Sequence, residues 1–407
     1  MKIAITADVH LRTKVETPHR YDALENIVNS MHVLDVSTLV VAGDLFDKDF
    51  HNYNDFDAFC KLHPSIRFFV IPGNHDLLLE QKFFTASNVE IISTPETKIL
   101  DSLPFVFLPY DAKLSMDEAL SYFFIQQNKG KETLENFLLI GHGDYVSRSR
   151  EINPYEKGIY MPLSSGCVSA YRPLKVVLGH IHKPYESGSV WYTGSPFPLD
   201  VNETGKRRWL LYNTADNSLT SVSLPASVIY FVENIFVLPS DNEISYVTSQ
   251  LEKMINSWQL LPEDFSKVRL RLSLKGFTTD KATVSVFVND FLHQKGIGIY
   301  DAAGIDTSEL NILKDEERIL LFDRVKTRID ELPTFDYATN IQYTPAFGFA
   351  NSYHTGWDSR NVNVWLPQLQ SAVSSCGGGY SPYIDDNSSS NEIQGAVNSS
   401  GFDWISK

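Results

Sequence analysis

Two features that are common in membrane and exported proteins are missing from this sequence. Its 407 residues contain no apolar run of about 18 residues, the length that a membrane-spanning helix needs. Cysteine is scarce, and Cys60, Cys167 and Cys376 are too scattered for a C-x-x-C motif or a disulfide framework. The N-terminal stretch MKIAITADVH favours a strand over a signal peptide, because it holds no long apolar segment. We therefore expect a cytoplasmic protein without a membrane span.

Positive charge is also in short supply. Lysine and arginine number 35 against 50 aspartates and glutamates, which gives a net charge of −15. Such an acidic chain argues against nonspecific binding of a polyanion through surface charge alone. There is no G-x-x-x-x-G-K-[ST] motif either, so any ATP-dependent step would need another protein.

The first half of the chain alternates short apolar runs with helical stretches. Residues 20–34 have helical apolar spacing, and later segments indicate antiparallel strands joined by Asn and Asp turns. Buried strands are predicted at residues 2–7, 38–43, 67–73, 136–143 and 175–180. Residues 1–224 are therefore predicted to form an α/β domain, a sandwich of sheets flanked by helices.

The second half is organised differently. Residues 227–300 predict a small α+β domain, in which residues 283–294 fit either a strand or a helix. Residues 306–332 predict a charged amphipathic helical region, with Asp306 and Glu309 as its N-terminal capping pair. Residues 333–407 are rich in Ser, Asn and Gly, which is typical of a flexible tail.

Potential metal ligands accompany the ends of all five predicted strands. Taken singly, each of these residues is more often a turn residue or a satisfied core histidine than a ligand. Ligand sites in open α/β sheets lie beyond the carboxyl ends of strands, so the five sets are expected to converge. In an extended chain His180 and His182 would also project to the same side. The candidate ligands are Asp8, His10, Asp44, Asn74, His142, His180 and His182.

Seven ligands are too many for one tetrahedral ion and suit two ions that share a bridging carboxylate. The set contains only nitrogen and oxygen donors, which favours Mn, Fe or Zn over a structural zinc site. Two divalent ions outweigh the charge of two aspartates, and the histidines must be neutral to bind metal. The predicted site is therefore net positive, so it could hold a phosphate even in an acidic protein.

The order of motifs D-x-H, GD-x-x-D, GNHD, H-G and GH-x-H resembles that of the calcineurin-like metallophosphoesterases. More narrowly, GHIHKP followed by YTGSPFPLD resembles the Mre11/SbcD family of DNA-repair nucleases. The resemblance implies a four-layer αββα sandwich with a small α+β capping domain, which residues 227–300 would form, and a C-terminal helical region.

The resemblance also implies a role for each candidate residue. Asp44 would bridge the two ions, and His75 would act near the leaving oxygen as a general acid or a transition-state stabiliser. One ion would be held by Asp8, His10 and His182, and the other by Asn74, His142 and His180.

The same family implies a metal-dependent hydrolase, with Mn²⁺ as its metal, that cleaves phosphodiester bonds of double-stranded DNA ends or hairpins. It would act as an exonuclease or endonuclease in DNA repair or recombination, as a homodimer together with a Rad50/SbcC-like ABC ATPase. An apolar stripe at Phe322, Val325, Ile329 and Leu332 could dock that ATPase or pack on the protein's own body.

Three positions depart from the family pattern or leave it open. Arg12 replaces the glycine of D-x-H-L-G, and Arg12 and Lys14 could contact DNA phosphates or lie in a solvated loop. Asp47 stands where some relatives carry histidine. The alternatives are a phosphoprotein phosphatase, a cyclic-nucleotide phosphodiesterase, or a non-catalytic subunit that keeps metals for structure or DNA docking.

Overall fold

The computed structural model describes residues 1–127, 135–147, 158–239 and 242–313, together with Arg324. The chain divides into two compact units between Phe231 and Val232, a few residues beyond the predicted boundary at 224. No helix in these described ranges is both long and apolar enough to cross a membrane.

The first unit consists of strands and helices that alternate along the chain. Its described strands are β1 (Lys2–Thr6), β2 (Thr38–Ala42), β3 (Arg67–Ile71), β4 (Val89–Ile91), β5 (Glu96–Leu100), β6 (Leu103–Leu108), β7 (Leu138–His142), β8 (Tyr145–Val146), β9 (Leu163–Ser164), β10 (Lys175–Gly179), β11 (Tyr185–Ser187), β12 (Val190–Tyr192), β13 (Arg208–Asn213) and β14 (Ser218–Ser223). Its described helices are α1 (Pro18–Val33), α2 (Asn54–Leu62), α3 (Met116–Gln127) and α4 (Ser165–Tyr171), with a 3-10 turn at Gln81–Phe83.

Most of these strands form two sheets. The first has the order β14-β13-β1-β2-β3-β4 and the second β11-β12-β10-β7-β6-β5, while β8 and β9 pair separately. Neighbours β1, β2 and β3 are parallel in the first sheet, as are β6, β7 and β10 in the second. The carboxyl ends of β1, β2 and β3 therefore lie at one edge of the first sheet, and those of β7 and β10 at one edge of the second.

Alternation along β1 explains the layering. Ala4 faces the helices, whereas Ile3 and Ile5 join a core cluster shared with Phe107 and Val177 of the second sheet. Helices α1 and α2 cover the outer face of the first sheet, and α3 and α4 pack with the outer face of the second. The first unit is thus a four-layer αββα sandwich, which agrees with the fold that the resemblance implied.

Helix α1 shows why the local sequence prediction succeeded. Leu24, Ile27, Val28 and Met31 recur at helical spacing, and all four are buried against the first sheet. The helix begins at Pro18, two residues before the predicted start, because proline fits the first helical position, where no amide hydrogen is needed.

Within the described residues, the second unit carries a sheet and two helices, and its first strand begins three residues before the boundary. Its described elements are β15 (Ile229–Val237), α5 (Glu243–Ser257), a 3-10 turn at Pro262–Lys267, β16 (Val268–Thr278), α6 (Lys281–Gln294), β17 (Gly298–Ile299) and β18 (Leu310–Ile312). Strand β16 is central and pairs with β17 and β18 in parallel. The ambiguous segment at 283–294 is helical, and Asp280 caps it by accepting hydrogen bonds from the amides of Ala282 and Thr283.

The predicted helix start at Asp306 is wrong. Asp306 accepts a hydrogen bond from the amide of Ser308 at 2.9 Å and closes a turn, after which Leu310–Ile312 forms β18 beside β16. The aspartate therefore satisfies a nearby amide as an N-cap would, but pairing with β16 sets the conformation that follows. The small domain also continues beyond residue 300. The apolar stripe at residues 322–332 and the predicted tail at 333–407 lie outside the described residues.

Candidate metal centre

Side chains from the ends of β1, β2, β3, β7 and β10 meet in one cluster. Asn74 Oδ1 lies 2.8 Å from His142 Nε2 and 3.1 Å from His180 Nδ1. His10 Nε2 lies 3.1 Å from His182 Nε2. The cluster joins the first sheet to the second, since residues 10 and 74 follow strands of the first, residue 142 ends a strand of the second, and residues 180 and 182 follow another strand of the second.

The two aspartates of the cluster are completely buried beside these rings. Asp44 Oδ2 lies 3.3 Å from His142 Nε2 and 3.8 Å from His10 Nε2. Asp8 Oδ1 accepts a hydrogen bond from the amide of His180 at 2.8 Å. A bridging role for Asp44 suits its position between histidines of both sheets.

The cluster fits divalent ions. Three groups have ligand atoms within 4.8 Å of one another: Asp8 with His10 and His182, Asp8 with Asp44 and His142, and His10 with Asp44 and His75. Asp8 Oδ2 is buried and has no hydrogen-bond partner within the described ranges. A buried carboxylate oxygen without a donor is costly, and a cation would satisfy it. All donors are nitrogen or oxygen, as in Mn, Fe or catalytic zinc sites.

The backbone of the cluster is held in an unfavourable conformation. Asp8, His10, Asp44 and His180 have φ values of 54°, 51°, 50° and 91°, a region that residues other than glycine rarely adopt. Bonds between the loops after β1 and β2, such as the Asp8 amide to the Gly43 carbonyl at 3.1 Å, hold this geometry. Backbone strain of this kind is characteristic of functional sites.

His180 and His182 do not reach the cluster by the strand alternation that the sequence predicted. Strand β10 ends at Gly179, and the positive φ of His180 breaks the alternation that was expected to aim both rings together. Each ring still enters the cluster, but His180 contacts Asn74 whereas His182 contacts His10. The two rings therefore contact different members of the cluster.

Glycines permit the close approach of the two sheets around His142. Its Nδ1 lies 2.9 Å from the carbonyl oxygen of Ala42 at the end of β2. A Cβ atom at Gly43, where φ is +90°, would lie 2.1 Å from His142 Nδ1. The glycine of the GD motif is therefore required by the ring that reaches across from the second sheet.

Burial and mutual charge perturb the ionisable groups strongly. Burial raises the pKa of Asp8 to about 6 and lowers the pKa of His10 to about 3, so His10 is neutral at pH 7. Burial would lower the pKa of His142, but Asp44 outweighs it and raises that pKa to about 9. Burial would raise the pKa of Asp44, but the neighbouring rings of His142 and His10 outweigh burial and hold this pKa well below the usual range. Metal binding at His142 would therefore release a proton.

The family follows from a match over the same region. Residues 1–216, more than half of the chain, match the family described as calcineurin-like phosphoesterase. The chain belongs to the calcineurin-like phosphoesterases. Members of this family are hydrolases with a dinuclear metal site, and the cluster contains candidate ligand groups for such a site.

Two further comparisons concern individual proteins. Over 244 residues this phosphoesterase is 26% identical to the SbcD subunit of the nuclease SbcCD from Staphylococcus saprophyticus. That match covers 50% of this chain and spans 63% of the relative's length. A solved structure of an archaeal phosphodiesterase is 15% identical with a TM-score of 0.29, and the match covers 55% of this chain and all of that one.

The structure brings the seven predicted ligands and His75 together in the phosphoesterase unit. The His75 ring centroid lies 4.6 Å from that of His10, and the His75 amide donates to Asp44 Oδ1 at 2.9 Å. His75 is close enough to His10 and Asp44 to be a ligand as well. Its assignment as a non-ligand acid therefore stays a prediction.

The predicted DNA contacts lie beside this cluster in sequence but are not part of it. The Arg12 side chain pairs with Glu16 at 3.3 Å and lies 3.9 Å from Asp47. The Lys14 side chain is exposed, and its backbone amide donates to Asp55. Carboxylates already neutralise the Arg12 guanidinium, so both residues stay predicted contacts only.

Three carboxylates around the cluster were not assigned roles from the sequence. Asp76 accepts from the amides of Gly73 at 2.6 Å and Phe46 at 3.1 Å, and so ties the loops after β2 and β3 together. Its position directly after His75 in GNHD was the available signal. Asp47, the last residue of GDLFD, lies 3.9 Å from Nδ1 of both His10 and His75.

The third carboxylate has no comparable signal in the sequence. Glu203 lies 21 residues beyond His182 and accepts a hydrogen bond from its Nδ1 at 2.8 Å. Arg207 pairs with Glu203, and Arg20 lies 3.6 Å from Asp47. Asp47 and Glu203 are thus each paired with an arginine, so these two carboxylates do not make the local charge of the cluster more negative.

Proposed function

We propose that this phosphoesterase is a metal-dependent DNA nuclease that hydrolyses phosphodiester bonds at double-stranded DNA ends or hairpins. The observation that carries the proposal is the cluster of Asp8, His10, Asp44, His142 and their partners, with the predicted acid His75 beside it. The proposal includes Mn²⁺ as the metal, a role in DNA repair or recombination, and a cytoplasmic location.

Two ions would be held by the seven side chains, with Asp44 shared between them. Bound divalent ions would supply Lewis-acid stabilisation of a phosphodiester and a water of lowered pKa. The buried acceptor Asp8 Oδ2 and the neutral His10 support this assignment. Local positive charge at this point would attract a phosphate to a chain whose net charge is −15.

His75 is the residue that we assign to proton transfer at the leaving oxygen. Its Nδ1 lies 3.9 Å from Asp47 Oδ1, so Nε2 is the nitrogen that would face the leaving group. Asp47 would favour the ring orientation in which Nε2 points toward substrate and would stabilise its protonated form. Asp44 anchors the same loop by accepting from the His75 amide.

The choice of DNA as substrate rests on narrower likenesses. The stretches GHIHKP and YTGSPFPLD resemble those of Mre11/SbcD nucleases, and the curated relative is named as part of the nuclease SbcCD. The second unit, with its sheet of β15 to β18, would correspond to a capping domain. By the same likeness we propose a homodimer that works with a Rad50/SbcC-like ABC ATPase.

A direct comparison of substrates tests this proposal. Full-length protein with MnCl₂ should degrade linear double-stranded DNA faster than it hydrolyses a phosphopeptide or cyclic AMP. The variant Asp44→Asn should be inactive on all three, which excludes a contaminating enzyme. A preference for the phosphopeptide or for cyclic AMP would contradict the nuclease assignment and favour a phosphatase or a cyclic-nucleotide phosphodiesterase. Metal binding without turnover of any substrate would favour a non-catalytic role.

A further inference from the structure

We propose that Glu203 is a positioning residue that orients His182 for one of the two ions. The inference deepens the proposed two-metal site and rests on it. Glu203 is not part of the ligand set, and it comes from the segment between β12 and β13.

The contact between the two side chains is direct. His182 Nδ1 donates to Glu203 Oε1 at 2.8 Å, and this requires the proton of a neutral imidazole to sit on Nδ1. The other nitrogen, Nε2, then presents its lone pair in the cluster, 3.1 Å from His10 Nε2. Glu203 therefore selects the tautomer in which His182 can bind metal through Nε2.

Glu203 is itself held in place by several donors. Its Oε2 accepts from Ser195 Oγ at 2.7 Å, from Arg207 Nη2 at 2.8 Å and from the amide of Leu199 at 3.2 Å. Glu203 is 6% exposed and Arg207 is 3% exposed, so the pair is shielded from water. Buried charges are retained when they are paired and hydrogen-bonded, and this carboxylate meets both conditions.

Arg207 extends the same network to the backbone. Its Nη1 donates to the carbonyl oxygen of His182 at 2.8 Å, while its Nη2 holds Glu203. The ring of His182 and its main chain are thus fixed by one ion pair. Such a double constraint is expected where a ring must be aimed rather than merely packed.

The comparison with His142 shows that the two halves of the cluster are supported differently. His142 Nδ1 lies 2.9 Å from the backbone carbonyl of Ala42, which is a neutral acceptor and cannot be removed by a side-chain substitution. His182 depends instead on a carboxylate. Loss of Glu203 should therefore weaken the ion that His182 binds and spare the ion that His142 binds.

The test is a calorimetric titration of full-length, EDTA-stripped protein with MnCl₂. We expect two binding events for the wild type, one of which weakens by about 10–100-fold in Glu203→Gln, the usual effect of losing such a partner. In Glu203→Gln, His182 and three other donors would compete for one acceptor oxygen. Glu203→Asp restores a carboxylate and should therefore recover part of the lost affinity. The control Glu186→Gln removes an exposed acid paired with Arg208 and should bind both ions as the wild type does.

A second measurement covers the case in which Glu203→Gln does not fold. In metal-free wild-type protein labelled with ¹⁵N-histidine, the imidazole resonance that His182→Asn removes should show the proton on Nδ1. A neutral ring whose only proton is on Nε2 would overturn the proposal, as would equal weakening of both ions or none in a folded Glu203→Gln. If the wild type binds no Mn²⁺ at all, the two-metal site itself fails, and that result is distinct from the failure of Glu203 alone.

Discussion

Replacing Gly179 by alanine should damage the metal centre out of proportion to the size of the change. Gly179 ends β10 and precedes the predicted ligand His180. A Cβ atom there would lie 2.2 Å from the carbonyl oxygen of Ala42, 2.7 Å from His142 Nδ1 and 2.8 Å from Ala7 Cβ. One methyl group would therefore collide with the backbone of the first sheet and with a predicted ligand of the second.

The magnitude follows from how little these neighbours can move. Ordinary contacts of a Cβ atom begin at 3.4 Å, so the Ala42 oxygen would have to retreat by more than 1 Å, and it is part of β2. Overpacking of a filled core typically costs about 1–3 kcal/mol of unfolding free energy. The same shift separates His142 Nδ1 from Ala42, so Mn²⁺ affinity should fall as well, because the ring loses the acceptor that orients it.

The assay pairs urea unfolding with MnCl₂ titration, and the chain provides a matched control. Gly166 lies in α4, and a Cβ atom there would meet only Ser164 Oγ, at 3.5 Å. Gly166→Ala should leave metal binding intact and be neutral or stabilising by up to about 1 kcal/mol, because alanine favours helix. The reasoning is refuted if Gly179→Ala has the unfolding free energy and the Mn²⁺ affinity of the wild type, or if both substitutions are equally harmful.

Three further variants, one of them a double substitution, test separate parts of the account. His75→Asn should lower turnover by about 10²–10⁴-fold and keep both ions, and an equal loss of bound metal by mass spectrometry would make His75 a ligand. Asp57→Asn should cost about 1–3 kcal/mol, since the Asp57 carboxylate accepts from the amides of Thr85 and Ala86. Burial would raise the pKa of Asp57, but its hydrogen bonds outweigh burial and lower this pKa below the ordinary 3.8. The difference in unfolding free energy between the wild type and Asp57→Asn should therefore be complete above about pH 4 and shrink as pH falls. A difference that does not vary with pH would contradict this. Phe322→Glu combined with Ile329→Glu should abolish copurification of an ATPase while Mn²⁺-dependent cleavage survives, and loss of cleavage would assign the stripe to the protein's own core.

The sequence predicted those parts of the fold in which a local pattern is compatible with a single type of secondary structure. Strands β1, β2, β3, β7 and β10 are short, apolar and buried on both faces, and glycine or polar residues end them. Strand β6, which lies between β5 and β7, was not among the predicted strands, although its run LPFVFL has the same character. Only its two-residue separation from β5 distinguishes the pair as a hairpin.

Other parts were ambiguous because tertiary contacts decided them. The valines in TVSVFV satisfy both two-residue and helical spacing, and burial of Val284, Val288 and Leu292 on one side selects the helix. Asp306 caps a turn before β18 by the same chemistry with which it would cap a helix. Glu203 reaches His182 from a distant loop, and no local pattern predicts a contact of that kind.

The most direct test of the central claim is the relation between bound metal and cleavage. Full-length protein stripped with EDTA is titrated with MnCl₂, while bound manganese is measured by mass spectrometry and the cleavage of linear double-stranded DNA is followed in parallel. The seven predicted ligands imply no cleavage in the stripped protein and full activity only when two ions are bound to each chain. Full cleavage in excess EDTA, or saturation at one ion per chain, would contradict a two-metal centre.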